Sequence, residues 1–299
     1  MTQQLRGYSL ALGTLLSVLS LAFPLLYPIA GLLLWGFAIA SFGLLARRSL
    51  IQSMVLISVG IAGLTYSLFE GASAPFFQLI NSNTKLLAML AAVSFLSLIA
   101  TPSKQSKKRL PPAGKKGLIS TLASGHFFSA IINISALLII ADKLNARRHI
   151  DTRTASLLTV NFAVCALWSP FFAAMAYTLS LVPSMDMLTV MSVGAPMGLI
   201  SLVMLYWLHQ EPESKLTGYP LKGRNLVLPS LLAVAVIVAH EIWPTLAITQ
   251  IIAISAPMMV IVVLLYEDRA NQLHLHICNR LANMHNEIML FLAAGVFAI

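Results

Sequence analysis

The chain has 299 residues, of which 58% are hydrophobic and 10% are charged. A soluble globular protein carries about 25% charged residues, so this composition excludes a soluble protein of this size and indicates that lipid surrounds most of the chain. The net charge of +9 lies in short basic segments between apolar runs, which favours membrane topology and anionic headgroups over nucleic acid as its cause.

Long apolar runs predict membrane-spanning α-helices rather than strands. A spanning helix needs about 20 apolar residues, whereas outer-membrane strands alternate in segments of about ten residues. In chain order the runs cover 8–27, 29–46, 50–69, 86–101, 117–141, 154–181, 185–208, 226–243 and 245–266, and a last run starts near 287. The sequence therefore predicts an all-α fold, a polytopic transmembrane helical bundle.

The distribution of Lys and Arg predicts the orientation, because cytoplasmic loops are enriched in these residues. We place the chain in the cell inner membrane, as a multi-pass protein with Arg6 and the N-terminus in the cytoplasm. If 117–141 crosses the membrane once, all nine Lys and Arg residues after it face outward. If it enters the membrane and turns back, 18 of the 19 Lys and Arg residues in the chain face inward, and Lys85 is the exception. The second arrangement predicts a re-entrant hairpin at 117–141. The alternative is that a short run such as 86–101 does not span.

The middle of 117–141 carries more polar residues than a lipid-facing helix tolerates. These residues are Ser120, Thr121, Ser124, Gly125, His126, Ser129, Asn133 and Ser135. Non-helical backbone at membrane depth occurs only where protein buries it or where it lines a cavity, so we expect a hairpin tip near Gly125–Ser129. There His126 either donates to a substrate or takes up a proton, or it is satisfied by a neighbouring hydroxyl. The alternative is an ordinary helix whose polar side chains bond to other helices.

A proline interrupts the next apolar run, 154–181, at Leu167–Pro170. Proline removes a backbone donor and disfavours helix at the residue before it. A helix broken inside the membrane offers amides to anions and carbonyls to cations. A simple proline kink, satisfied by a neighbouring helix, is the alternative.

Other polar groups have plainer explanations. Four residues could suggest a metal site, but an apolar stripe at near-helical spacing favours an amphipathic helix on the cytoplasmic surface; they are His274, His276, Cys278 and His285. His240 and Glu241 end a span near the outer interface, where water reaches them, and a proton-coupling role is the alternative. Asn81–Thr84 is favoured as part of an external loop with interfacial aromatic residues before it.

Three stretches together resemble the ion transporter superfamily of secondary carriers, which includes arsenite permeases and citrate, dicarboxylate and sodium/proton carriers. They are the segment from Gly125 to Asp142, the segment Ala166–Phe172 and the segment Asn286–Phe291, and the resemblance covers 117–299. It implies two inverted repeats, each with a re-entrant hairpin and a broken helix, and transport by alternating access. Because the chain supplies one of each and ends at Ile299 within its last apolar run, we expect the N-terminal half of such a carrier.

We therefore expect a secondary active transporter, or the N-terminal half of one, that moves a small organic or inorganic anion by alternating access. The residues expected to bind substrate are Ser124, Gly125, His126, Ser129, Asn133, Asn161, Ser169 and Pro170. Transport would be coupled to Na⁺ or H⁺, with no other cofactor and with no catalytic or metal-binding residue. The expected partners are the anion, membrane lipids and, in a homodimer, a second copy, but not nucleic acid.

Two other classes are the alternatives. A membrane-embedded enzyme would need a nucleophile–base pair, for which Ser124 and His126 are nearest. A non-transporting membrane scaffold subunit would need no site at all.

These expectations divide the chain into segments. They are 1–101, N-terminal transmembrane helices acting as a scaffold; 102–116, a basic cytoplasmic loop; 117–208, the transport core with hairpin 117–141, broken helix 154–181 and helix 185–208; 209–225, a cytoplasmic loop; 226–266, two transmembrane helices; 267–286, an amphipathic cytoplasmic segment; and 287–299, the start of a truncated span.

Overall fold

The computed structural model describes residues 2–73, 75–100, 112–146, 149–182, 185–209, 218–220 and 223–298. Most of two predicted cytoplasmic loops, 102–116 and 209–225, lies outside the described residues. Within the described ranges the secondary-structure elements are helices, which confirms the predicted all-α class.

Fifteen α-helices run through the described part of the chain. In chain order, α1 to α15 are Gln3–Leu19, Leu26–Ala40, Arg47–Phe69, Phe76–Asn81, Thr84–Ser94, Ser97–Ala100, Gly114–Ile132, Ile134–Asn145, Thr152–Val164, Ala173–Leu181, Met187–His209, Gly223–Ile242, Ile248–Tyr266, Asn271–Asn279 and His285–Phe297. Short 3-10 turns at Phe42–Leu44, Cys165–Leu167 and Leu281–Asn283 follow α2, α9 and α14.

Four helical stretches are long and apolar enough to cross a membrane. They are Arg47–Phe69, Phe76–Ile99, Met187–His209 and Ile248–Tyr266. In the third of these, α11, only 17% of the most apolar window is buried inside the protein, and Leu199, Met204 and Trp207 are each more than half exposed. Lipid can cover such a surface, whereas water would make it a large unfavourable patch. The helices therefore fit a membrane-embedded chain.

The described residues form two compact units. Unit one combines 1–92 with 261–299, and unit two comprises 93–260. In unit one, α1 packs against α2 and α14, and α3 packs against α15. The C-terminal helices therefore complete the N-terminal helical unit.

Helix α14 lies against α1, and His274 contacts α1 while His276 is buried. The Tyr8 hydroxyl lies 2.6 Å from Nδ1 of His274. His276 is buried, and this burial, with a smaller contribution from the Arg280 charge, lowers the pKa of His276 to about 4. His276 is therefore neutral at pH 7, as expected for a side chain that packs rather than titrates.

The polar stretch Asn81–Thr84 separates α4 from α5 and is buried in unit one. Asn83 has a φ of 56°, and its Nδ2 donates to the carbonyl of Phe291 at 2.7 Å. Asn81 is 7% exposed and Thr84 is 0% exposed; among the described residues, neither Oδ1 of Asn81 nor Oγ1 of Thr84 has a hydrogen-bond partner. The stretch interrupts the helices and packs within unit one, a contact that the sequence does not indicate; its position in an external loop stays a prediction.

Helices α3 and α15 approach closely at Gly60, where a Cβ would lie 2.6 Å from the carbonyl oxygen of Val296. We expect Gly60→Ala to force the helices apart and to lower the free energy of unfolding by about 1–3 kcal/mol, measured by denaturant unfolding in detergent micelles. Gly63→Ala is the matched control, because nothing lies within 4 Å of its Cβ position. It should preserve stability or raise it by up to about 1 kcal/mol. Equal losses from the two substitutions would contradict this packing.

Candidate functional site

A single non-helical residue, Asn133, joins α7 to α8 in unit two. Its φ of 57° is positive, and Asn is found at positive φ more often than most residues with a side chain. Its Oδ1 accepts from the amide of Ile134 at 2.8 Å and caps α8. The predicted tip at Gly125–Ser129 lies inside α7 instead, because the glycine there serves a close contact with another helix and not a turn.

Beyond this turn, α8 runs back along α7. Cδ1 of Ile140 lies 3.9 Å from the Cβ position of Gly125. Tyr219 contacts both helices: its carbonyl accepts from the Ser120 hydroxyl at 2.7 Å, and Nζ of Lys143 lies 5.4 Å from its ring centroid. In one continuous helix, Ser120 and Lys143 would be about 35 Å apart. The two helices therefore lie side by side in opposite directions.

Between α9 and α10, residues 165–172 form a 3-10 turn followed by non-helical backbone, here called the break. Pro170 has no amide hydrogen and disfavours helix at the residue before it. The amide of Phe171 donates to the hydroxyl of Ser169 at 3.2 Å. Phe172, at the N-cap position of α10, supplies no side-chain hydrogen bond. The first-turn amides of α10 consequently have no side-chain cap.

Two side chains attach the break to the end of α7. The hydroxyl of Ser169 donates to the carbonyl of Ala130, and Nδ2 of Asn133 donates to the carbonyl of Phe171 at 3.3 Å. Ser169 is 1% exposed. Polar groups at the two helix interruptions therefore satisfy one another in the interior of unit two.

Asn161 of α9 contributes the least satisfied polar atom in this region. It is 1% exposed, and its Nδ2 donates to the carbonyl of Leu122 at 3.0 Å. Its Oδ1 makes no hydrogen bond of ordinary geometry to a described residue, and the His126 ring is the polar side chain that interacts with Asn161. A Cβ at Gly125 would lie 2.6 Å from this Nδ2, so a larger residue at 125 would displace Asn161. Because an unpartnered buried acceptor costs free energy, Oδ1 is a candidate to receive a donor or a cation.

His126 is a residue of α7 whose side chain contacts the break, and it is 5% exposed. Its Nε2 accepts from Nε1 of Trp168 at 2.9 Å, and its Nδ1 lies 3.3 Å from Sγ of Cys165. The same sulfur lies 3.4 Å from the carbonyl oxygen of Asn161. The side chain of His126 therefore joins α7 to the break through two of its residues, Cys165 and Trp168.

The structure brings together most of the residues predicted to form a site, but not all of their polar groups. Gly125, His126, Asn133, Asn161 and Ser169 share the contacts described above, and Pro170 is buried beside Ser169. The hydroxyl of Ser124 instead donates to the carbonyl of Ser120 in its own helix at 2.6 Å. Ser129 is buried, and its carbonyl accepts from the Asn133 amide at 3.0 Å.

Two glycines of α11 let the break pack closely against this helix. The predicted site does not include them. A Cβ at Gly194 would overlap the carbonyl of Leu167, and one at Gly198 would lie 3.1 Å from Cδ1 of Trp168. Their spacing of four residues puts both on one helix face, the small-residue pattern of close helix contacts in membranes. This spacing was the available sequence signal.

We expect Gly194→Ala to push the break away from α11 and to lower the free energy of unfolding by about 1–3 kcal/mol. Gly198→Ala should cost less, because a Trp168 side chain can shift where the Leu167 backbone cannot. Denaturant unfolding of both variants in detergent measures the difference. A larger loss for Gly198→Ala would contradict the close backbone contact at Gly194.

Comparisons with protein-family models, with curated proteins and with solved structures give no match for this chain. Its function therefore has to be inferred from the residues and geometry of unit two.

Proposed function

We propose that the chain is a secondary active transporter, or the N-terminal half of one, that moves a small organic or inorganic anion by alternating access. Coupling would be to protons or sodium. The observation that carries this proposal is the buried junction at which the break meets the α7–α8 turn. Polar interruptions of this kind, inside an otherwise apolar helical unit, are typical of carrier binding sites.

The length of α8 supports a re-entrant arrangement of α7 and α8. Its 12 residues extend about 18 Å, whereas the hydrocarbon core is about 30 Å thick. Helix α8 is thus too short to cross, and its antiparallel course would lead the chain back towards the side from which α7 starts. The basic residues on both sides of the pair would then face the same compartment, the cytoplasm.

The junction offers suitable groups for an anion. The uncapped first turn of α10 presents backbone amides and the positive end of a helix dipole. The hydroxyl of Ser169 lies at the same place and can exchange its bond to Ala130 for one to a ligand. Oδ1 of Asn161 can accept from a protonated ligand or coordinate a coupling cation. A small oxyanion fits this set of donors better than an apolar substrate does.

The hydrogen bond donated by the Ser124 hydroxyl weakens the alternative of a membrane-embedded enzyme. It donates to a carbonyl of its own helix, and His126 bonds to Trp168 instead. A nucleophile needs its base within hydrogen-bond reach. This pair therefore gives the enzyme alternative no support.

We expect the purified chain in proteoliposomes to take up labelled succinate, citrate, sulfate or phosphate when a proton or sodium gradient is imposed. Ser169→Ala should slow the initial rate about tenfold, since one hydrogen bond to a charged ligand is worth about 1.5–3 kcal/mol. Ser201→Ala is the matched control, because its hydroxyl is exposed and donates to Met197 of its own helix. It should preserve the rate.

Variants are compared only when they elute as a single species in detergent. A folded chain that takes up none of these anions under either gradient would refute the transport proposal. Equal rates in Ser169→Ala and Ser201→Ala would leave transport standing but remove the junction as its site.

We also expect the outer ends of α7 and α8 to face one compartment. In a chain whose native cysteines are replaced by serine, Lys116→Cys and Asn145→Cys, both at exposed positions, should react with an impermeant maleimide from the same side of sealed vesicles. Arg48→Cys and Glu70→Cys, at opposite ends of α3, serve as the control and should react from opposite sides. Labelling of 116 and 145 from opposite sides would contradict the re-entrant pair.

A further inference from the structure

The hydrogen bonds of His126 define its protonation state. The indole Nε1 of Trp168 can only donate, so Nε2 of His126, 2.9 Å away, carries a lone pair and no hydrogen. The hydrogen of the neutral ring is then on Nδ1, where it points to Sγ of Cys165 at 3.3 Å. Cys165 in turn can donate to the carbonyl of Asn161 at 3.4 Å. Every donor in this chain has an acceptor only while His126 is neutral.

A proton added to Nε2 would break this arrangement. The histidine cation carries hydrogen on both ring nitrogens, so two N–H groups would face each other across the 2.9 Å between His126 and Trp168. The indole has no acceptor to offer in exchange. Trp168 must then move away from His126. In the structure the centroids of the two rings are 5.7 Å apart, and this distance would increase.

We propose that the coupling ion is a proton and that Nε2 of His126 binds it. This role rests on the proposed transport function and names its driving ion. Trp168 precedes Ser169 directly in the break, and the Ser169 hydroxyl bonds to α7 through Ala130. Movement of Trp168 therefore acts on the residue that is proposed to receive the anion. The residue displaced by the proton, Trp168, and the residue proposed to bind the anion, Ser169, are thus consecutive in the chain.

Few other titratable groups are placed to respond in the same way. Helices α8, α9, α11 and α12 and the turn Cys165–Leu167 pack against α7, and Cys165 touches His126 directly. Tyr219 also packs against α7, where its ring contacts that of Phe128. The remaining titratable and charged residues described on these helices lie in first or last turns: Asp142, Lys143, Arg153, Tyr206, His209, His240 and Glu241. Of these groups, Cys165 is the one that lies within hydrogen-bond distance of His126.

The test follows Trp168 by fluorescence in a chain without the other tryptophans, Trp35→Phe, Trp207→Phe and Trp243→Phe. Titration in detergent between about pH 4 and 8 should give a one-proton transition in emission, the range in which histidine changes charge. His126→Gln should abolish this transition, because glutamine still offers the indole an acceptor oxygen but does not titrate. His240→Gln, at the end of α12, is the control and should retain it.

Two results would overturn the proposal: a pH-independent emission in the chain that keeps His126, or a transition that His126→Gln leaves unchanged. If His126→Gln does not elute as a single species, His126→Asn replaces it. An emission that responds to Na⁺ and not to pH would likewise exclude the proton.

Because this titration needs neither substrate nor gradient, its outcome is separate from that of the uptake assay. A His126-dependent transition without anion uptake would retain the proton site and refute transport. Anion uptake that an inward proton gradient still accelerates in His126→Gln would retain transport and refute the proton site.

Discussion

Backbone groups inside a lipid bilayer must find their hydrogen bonds within the protein, because hydrocarbon offers none. In unit two, two helix interruptions meet this requirement together. The break donates to α7 through Ser169, and the α7–α8 turn donates to the break through Asn133. Each interruption supplies a partner for the other, so a ligand of the proposed kind would have to replace bonds that hold the two segments together. Binding and movement would then depend on the same few atoms.

Helix α11 allows this junction to form. Its two glycines bring the helix against the Leu167 carbonyl and the Trp168 ring, while its opposite face stays exposed with apolar side chains that suit lipid. One face of the helix therefore packs against the break, and another carries exposed apolar side chains that suit lipid. Any side chain at 194 would hold the break away from α11, and the indole of Trp168 would then lose its position beside His126.

The sequence predicts the features that depend on local composition. The helical class and the apolar stretches follow from runs of apolar residues, and Pro170 lies within the described backbone that lacks helical structure. The features that it misplaces depend on long-range contacts. The sequence predicts a hairpin tip at Gly125, but this glycine makes room for Asn161. At Asn81–Thr84 the sequence does not indicate that Asn83 bonds to Phe291, 208 residues away. Periodicity and composition contain no information about such partners.

The burial of the junction suggests how a proton and an anion could be coupled. His126, Asn161 and Ser169 are each at most 5% exposed, so in this conformation neither ion reaches them from water. A lone proton on His126 would cost the bond to Trp168 and place an unpaired charge in the interior, and a lone anion at Ser169 would also be unpaired. An anion beside a protonated His126 offsets both charges. Because a ligand shifts an equilibrium only by its differential affinity for the two states, the closed state would accept the empty site or the proton–anion pair, and neither ion alone. That selection is the rule by which a symporter couples the two fluxes.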